Sequence, residues 1–407
     1  MKVLMPLIVL LASSSLLAET NSTVELEDYI STFKKKEFEY DYGKNEQESL
    51  KLRDSWINPL QLNYRYNKSN PYDNIQTNKT SSISMNQPIF RSGGILYGIK
   101  YATASKKYND YTIDVQKRKL IKDAISLLMQ IKQVDLQIKK QKKQVQNSQI
   151  KLDQNRQEYL SGELDSGFLD NAVIQLNLVK QTLFDLQAQK EKLISKFHSI
   201  SDIDHKTAYI PILKNITKEQ FLSSNIVLKL YETQRKKNDY MKSVVLAKYL
   251  PSFNIVASYT HDEVTNPSFA GTPVSSPEPT TYYNYGFNIS MPIDFNTFRD
   301  IQSVKIDHLK SSVMVEDKKR ELISLYEQVE QNLKKYQKKI VLAQENYNIY
   351  KKLLDDTKQL YTAGYKAKMD VDLLQNSADM AQLDILIYKI DKQLELLNLY
   401  EYYYEVQ

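Results

Sequence analysis

The sequence predicts a mainly α-helical chain with a membrane β-barrel part. It is a tandem repeat of one unit, with four strands and two long helical hairpins per chain. Three observations predict this. Only 9 Gly and 11 Pro occur in 407 residues, which disfavours a chain of many short turns and favours long helices. Three short stretches recur in the same order in both halves. Four segments of strand length alternate apolar and polar residues.

The recurrences set the organisation. Asn58–Tyr66 echoes Leu250–Tyr259, Ile83–Phe90 echoes Phe287–Asp294, and Tyr159–Gly162 echoes Tyr361–Gly364. Pro88 to Gly162 is 74 positions and Pro292 to Gly364 is 72. Lys2 followed by apolar Val3–Leu11 and the small residue Ala18 reads as a secretory signal peptide, 1–18. Repeat 1 then spans 19–199, with strands at about 57–67 and 81–90 and a helical hairpin at about 95–198. A connector around Pro211 spans 200–224. Repeat 2 spans 225–407, with strands at about 252–260 and 282–292 and a hairpin at about 297–400.

The long stretches carry an apolar period of 3.5. In repeat 1 it runs Ile131, Val134, Ile138, Gln141, Val145, Ser148, Leu152, Asn155, then Leu176, Val179, Leu183, Leu186, Lys190, Leu193, Phe197. Repeat 2 continues it through Ile340, Ala343, Tyr347, Tyr350, Leu354, Thr357, then Leu383, Ile387, Ile390, Leu394, Leu397. Such a period makes helices that wind along a seam. A helix of this length buries nothing alone, so it must pack on its returning partner and on other chains. Gly162 with Gly167, and Gly364, mark where each hairpin turns.

The strand segments have the length a tilted membrane strand needs. Leu60, Leu62, Tyr64 and Tyr66 alternate with Gln61, Asn63, Arg65 and Asn67. Tyr283, Tyr285, Phe287, Ile289 and Met291 alternate with Asn284, Gly286, Asn288 and Ser290. One face suits lipid and the other a wet lumen. Strand-end tyrosines and Trp56 suit a membrane interface. Pro59 and Pro251 start strands, and Pro88 and Pro292 end them, where a missing N–H does least harm. The links Lys68–Thr80 and Asp262–Tyr282 are expected as loops. Four strands cannot close a barrel, and an open edge in lipid is costly, so several chains must share one.

Other classes are excluded. Net charge is +6, too mild to indicate nucleic-acid binding. The densest basic run, Lys132, Lys139, Lys140, Lys142 and Lys143, reads as a solvated helix face. Cys is absent, which removes disulfides, thiolate metal sites, Cys nucleophiles and an acylated Cys anchor. The four histidines, His198, His205, His261 and His308, lie in no metal motif, and no nucleotide loop or nucleophile elbow is present. No enzyme activity and no cofactor are expected. A structural or adhesive coiled-coil surface protein is the rival reading.

Taken together, the doubled organisation, Leu250–Tyr259, the Pro-ended strand within Met85–Gly94, and Tyr361–Gln375 resemble the outer-membrane efflux protein (TolC) family. The resemblance covers nearly the whole mature chain. It implies a homotrimer with one 12-stranded barrel in the outer membrane and a periplasmic α-helical barrel. It implies a passive exit duct for efflux or type I secretion. Its partners would be a periplasmic adaptor protein and an inner-membrane pump or ABC exporter, with outer-membrane lipid around the barrel and no nucleic acid. It places the turns at Gly162, Gly167, Gly364 and Tyr365 at the adaptor-contacting end. Asp370, six positions after Gly364, would line the closed aperture with Asp372, and Lys366 would latch it. Repeat 1 departs from this pattern. Phe168 stands where repeat 2 has Asp370, and its carboxylates are Asp165 and Asp170.

Overall fold

The computed structural model describes residues 26–70, 75–269 and 272–403; the signal segment expected at 1–18 lies outside them. A 3-10 turn, Leu26–Tyr29, leads into α1 (Thr32–Arg53), capped by the Ser31 hydroxyl accepting from the Lys34 N–H. Then come β1 (Gln61–Ser69), β2 (Gln76–Phe90), α2 (Gly94–Leu160) and α3 (Ser166–His198). The second repeat has α4 (Lys218–Ser223), α5 (Ile226–Lys248) and β3 (Ser252–Thr265). A small pair, β4 (Ser268–Phe269) with β5 (Thr272–Pro273), precedes β6 (Thr280–Ser290), α6 (Thr297–Thr362) and α7 (Lys368–Tyr400).

Two features differ from the expectation. Strands β2 and β3 extend through Thr77–Thr80 and Asp262–Thr265, which pair with each other across the span expected as loops. Alternation stops there, yet backbone pairing alone carries the ladder on, helped by a Lys79–Glu263 ion pair at 2.9 Å. Helices α1 and α5 are the second addition. Both precede the strand pairs. α1 is so polar that its pattern gives no apolar face to read.

The four main strands form one antiparallel sheet in the order β1-β2-β3-β6. Leu62, Ile83, Tyr259 and Tyr283 stand opposite one another in successive strands, and so do Gln61, Ser84, Ser258 and Asn284. One face is therefore apolar and aromatic and the other Ser/Asn-rich, because side chains alternate along each strand. Pro88 sits at a bulge near the end of β2, beyond the last β1 partner of that strand, so its missing N–H costs no ladder bond.

At 67 and 66 residues, α2 and α6 are each about 100 Å long. Each changes partners at mid-length. Nearer the sheet, helices neighbour one another in the order α1-α2-α5-α6, and beyond the midpoint in the order α3-α2-α7-α6. The coiled seam is real: Ile131, Val134, Ile138, Leu176, Leu193, Phe197, Ala343, Leu354, Ile387 and Leu397 are buried.

The main core lies at the midpoint. Tyr29, Ile30, Phe38, Ala124, Leu128, Met129 and Phe197 pack there, joined by Ile203, Ala208, Ile210 and Leu213 of the connector. A second cluster gathers Phe221, Leu322, Val329 and Leu399. The connector is a strap rather than a plain link. The Leu213 N–H donates to Gln393 Oε1 at 2.7 Å, and the Tyr400 and Tyr326 hydroxyls donate to the Lys214 and Ile216 carbonyls. In both repeats the entry to the short helix is tied to the end of the returning one. The Ser31 N–H donates to the Ile200 carbonyl and the Ile226 N–H to the Tyr402 carbonyl, each at 2.9 Å.

Candidate functional site

The hairpin turns are built alike. Gly162 and Gly364 have φ of +82° and +83°, a left-handed conformation that costs a side chain-bearing residue about 1–2 kcal/mol. In the first turn the Glu163 N–H reaches the Glu158 carbonyl at 2.9 Å and the Gly162 N–H the Tyr159 carbonyl at 3.1 Å. In the second, the Tyr365 N–H reaches the Leu360 carbonyl at 2.8 Å and the Gly364 N–H the Tyr361 carbonyl at 3.0 Å. This double closure satisfies carbonyls that a helix end leaves bare.

The two repeats then start their return helices differently. Asp165 is the N-cap of α3, its carboxylate accepting from the Gly167 N–H at 2.7 Å. A Cβ on Gly167 would lie 2.9 Å from that carboxylate, so this glycine keeps the cap in place. In α7 the N-cap position is Ala367, which has no acceptor. Asp370 reaches back from three residues on and accepts from the Ala367 N–H at 3.2 Å. Asp370 thus caps α7, and its charge suits the helix N-terminus. Lys366 Nζ lies 3.9 Å from Asp370, at the outer limit of an ion pair. Asp165 and Asp170 are exposed, Asp372 is half-buried on α7, and Tyr365 and Phe168 project into solvent. All these residues gather at the hairpin tips, at the far end of the molecule from the sheet. Within one chain the carboxylates of the two tips form no cluster. At the sheet end, Pro59 and Pro251 precede β1 and β3, and Pro292 follows β6.

Sequence reading missed the seam between the two hairpins. The lysine run of α2 is not simply a solvated face. Lys140 pairs with Asp384 at 2.6 Å and Lys143 with Asp379 at 2.8 Å, both on α7. Gln133 binds Asp391, Asn376 donates to Asn147 at 2.8 Å, and Lys122 lies 3.3 Å from Glu401. These contacts form five rungs in one antiparallel register. Asp379, Asp384 and Asp391 on α7 were the available signal, but only the pairing of α2 with α7 shows what they face. Among the described residues, no helix is long and apolar enough to cross a membrane, which says nothing of the sheet.

Residues 46–192 match the family model described as outer membrane efflux protein. Those residues belong to the outer membrane efflux protein family. The rest of the chain shares the fold. The Campylobacter jejuni CmeC outer membrane channel matches with a TM-score of 0.69 at 11% identity, over 92% of this chain and 84% of its own. The Vibrio cholerae outer membrane protein VceC matches with a TM-score of 0.71 at 11% identity, over 93% and 96%. The open state of the Neisseria gonorrhoeae MtrE outer membrane channel matches with a TM-score of 0.66 at 12% identity, over 92% and 87%. No curated protein matches the chain. The family match thus covers 46–192, and over the chain as a whole the likeness to these outer membrane channels is one of fold.

Proposed function

We propose that three copies of this chain close into one duct, a 12-stranded barrel in the outer membrane continued by a periplasmic helical tunnel. The observation that carries this is a set of open edges that coincide at every level. β1 and β6 are the outer strands of the sheet and are exposed along their whole length. α1 and α6 bound the upper helical layer, and α3 and α6 the lower. The outer helices leave apolar side chains bare: Ile174, Leu178 and Phe184 on α3, and Leu342, Ile349 and Leu353 on α6. One side of each chain fits the other side of the next. β1 and β6 run in opposite directions, so closure continues the antiparallel ladder, and heterologous contacts of this kind close into rings.

Such a duct is passive. Export is directed by the signal peptide, cleaved near Ala18. A periplasmic adaptor with an inner-membrane pump, or an ABC exporter, engages the hairpin tips at Gly162, Gly167, Gly364 and Tyr365. That engagement opens the end, and cargo diffuses through the water-filled tunnel in efflux or type I secretion. Threefold assembly places Asp370 and Asp372, with Asp165 and Asp170, around the narrow end, where carboxylates favour cations over anions. Lys366 beside Asp370 supplies the basic half of a latch.

The test is purification from outer membranes followed by planar-bilayer recording. The expected result is a heat-sensitive trimer that conducts. Asp370→Ala with Lys366→Ala should raise conductance or weaken cation preference. A soluble elongated dimer would overturn the duct, while unchanged conductance and selectivity would remove these two residues from the aperture.

A further inference from the structure

The turn that joins β6 to α6 presents the two most exposed large apolar side chains among the described residues. Ile293 is 97% exposed and Phe295 is 103% exposed. Met291 before them and Phe298 after them are also exposed. The turn is built rather than loose. Asp294 Oδ1 accepts from the Asn296 N–H at 2.8 Å, and the Asp294 carbonyl accepts from the Thr297 N–H and hydroxyl at 3.1 and 2.7 Å. One turn into α6, Asp300 accepts a hydrogen bond from the Tyr249 hydroxyl at the end of α5. The polar residue of the turn faces its own backbone, and the apolar residues on either side of it are left bare.

Their place in the sequence says what they face. Tyr283, Tyr285, Phe287 and Ile289 form the apolar face of β6. Met291, Ile293 and Phe295 continue that alternation past the last ladder pair, Ser252 with Ser290. The equivalent turn in repeat 1, Arg91-Ser92-Gly93-Gly94, is polar and left-handed at Ser92 and Gly93. In repeat 1 the matching positions are Ile89, 49% exposed, and Arg91, so the pair formed by Ile293 and Phe295 is complete in repeat 2 alone. A neighbouring chain added at the β6 edge meets its backbone edge, leaving its outward face free.

We propose that Ile293, Phe295 and Phe298 form a lipid anchor. They enter the headgroup boundary of the periplasmic leaflet and fix the depth at which the barrel sits. The occupant is the lipid surface, because the row is continuous with the face that the barrel turns to the bilayer. Apolar side chains held at the level of the headgroups bind the interface by the area they bury there. The inference rests on the barrel reading above.

The chain has one Trp, Trp56, so site-specific fluorescence is direct. In a Trp56→Phe background, Phe295→Trp and, separately, Tyr285→Trp are reconstituted as full-length protein into phosphatidylcholine vesicles. Lipids brominated near the headgroup or deep in the chains serve as quenchers. The expected result for Phe295→Trp is blue-shifted emission that loses most of its intensity to the shallow quencher and little to the deep one. Tyr285→Trp should be quenched most by the deeper label. If Tyr285→Trp is quenched while Phe295→Trp emits as in water, the anchor is wrong and the barrel stands. If Phe295→Trp is blue-shifted yet unquenched, a neighbouring chain covers it and the anchor is wrong. If neither is quenched, the barrel reading itself fails.

Discussion

Neutralising Asp379 and Asp384 together removes the charges that receive Lys143 and Lys140 across the seam between the two hairpins. The side chains in these two pairs keep 26–39% of their accessibility, so water screens them in part. Each pair is then worth about 1 kcal/mol, the upper end for exposed pairs and below that of a buried one. Two pairs about one turn apart give about 2 kcal/mol per chain, roughly a 30-fold change in the equilibrium for local separation of α2 from α7. Hydrogen exchange over 140–147 and 376–384 reads that equilibrium. Asp379→Asn with Asp384→Asn should speed exchange there by about that factor and leave the midpoint core near Phe197 slow. A charge swap, Lys140→Asp with Asp384→Lys, should recover much of the loss from either single change. Unaltered exchange in the double variant, or a swap no better than its parts, would refute the view that these rungs hold the hairpins together.

Three further outcomes follow from particular residues. Gly162→Ala and Gly364→Ala should each cost about 1–2 kcal/mol through the left-handed backbone, whereas Gly43→Ala, in open space within α1, should gain up to about 1 kcal/mol; thermal midpoints of the assembled protein compare the three. Phe197→Ala empties a fully buried site in the midpoint core and should cost about 3–5 kcal/mol, read as a lower temperature for loss of helical circular dichroism. Burial holds the Asp391 carboxyl above its ordinary range, outweighing the bond from Gln133 and the nearby Lys339 and Lys335. A raised carboxyl pKa weakens the folded state above that pKa, and the penalty fades as pH falls through it. Asp391→Asn should therefore raise the thermal midpoint at pH 7 and change it little near pH 4. A uniform effect at both pH values would contradict that sign.

Periodicity made much of the fold legible. The 3.5-residue spacing found the seam residues Ile138, Leu193 and Leu354, and strict alternation found the sheet faces. Repeated spacing from Pro to Gly revealed the duplication, because each glycine has a left-handed job that other residues do poorly. What stayed hidden was of two kinds. α1 meets α2 through polar side chains, such as Asn45 donating to Asp110 at 2.7 Å, and polar contacts leave no apolar stripe to count. The rungs from Lys140 to Asp384 and from Asn147 to Asn376 join residues more than 200 positions apart, where local spacing carries no signal. At the tips, the sequence picked out Asp370 but could not decide what it touches. The backbone answer, a bond to the Ala367 N–H, follows from the missing acceptor at position 367.

One feature of the midpoint reaches beyond stability. Each repeat leaves from and returns to the same place: Ser31 meets Ile200, and Ile226 meets Tyr402. A unit whose entry and exit are neighbours can be copied in tandem with only a short tether between the copies, and the stretch around Pro211 is such a tether. The same adjacency permits rewiring. A chain joined across Ile200 and Ser31 and opened at the exposed Gly162 turn would keep every strand and helix pairing of the first repeat. Helix α3 would leave the ribosome first instead of last, and the shape the chain reaches would not change.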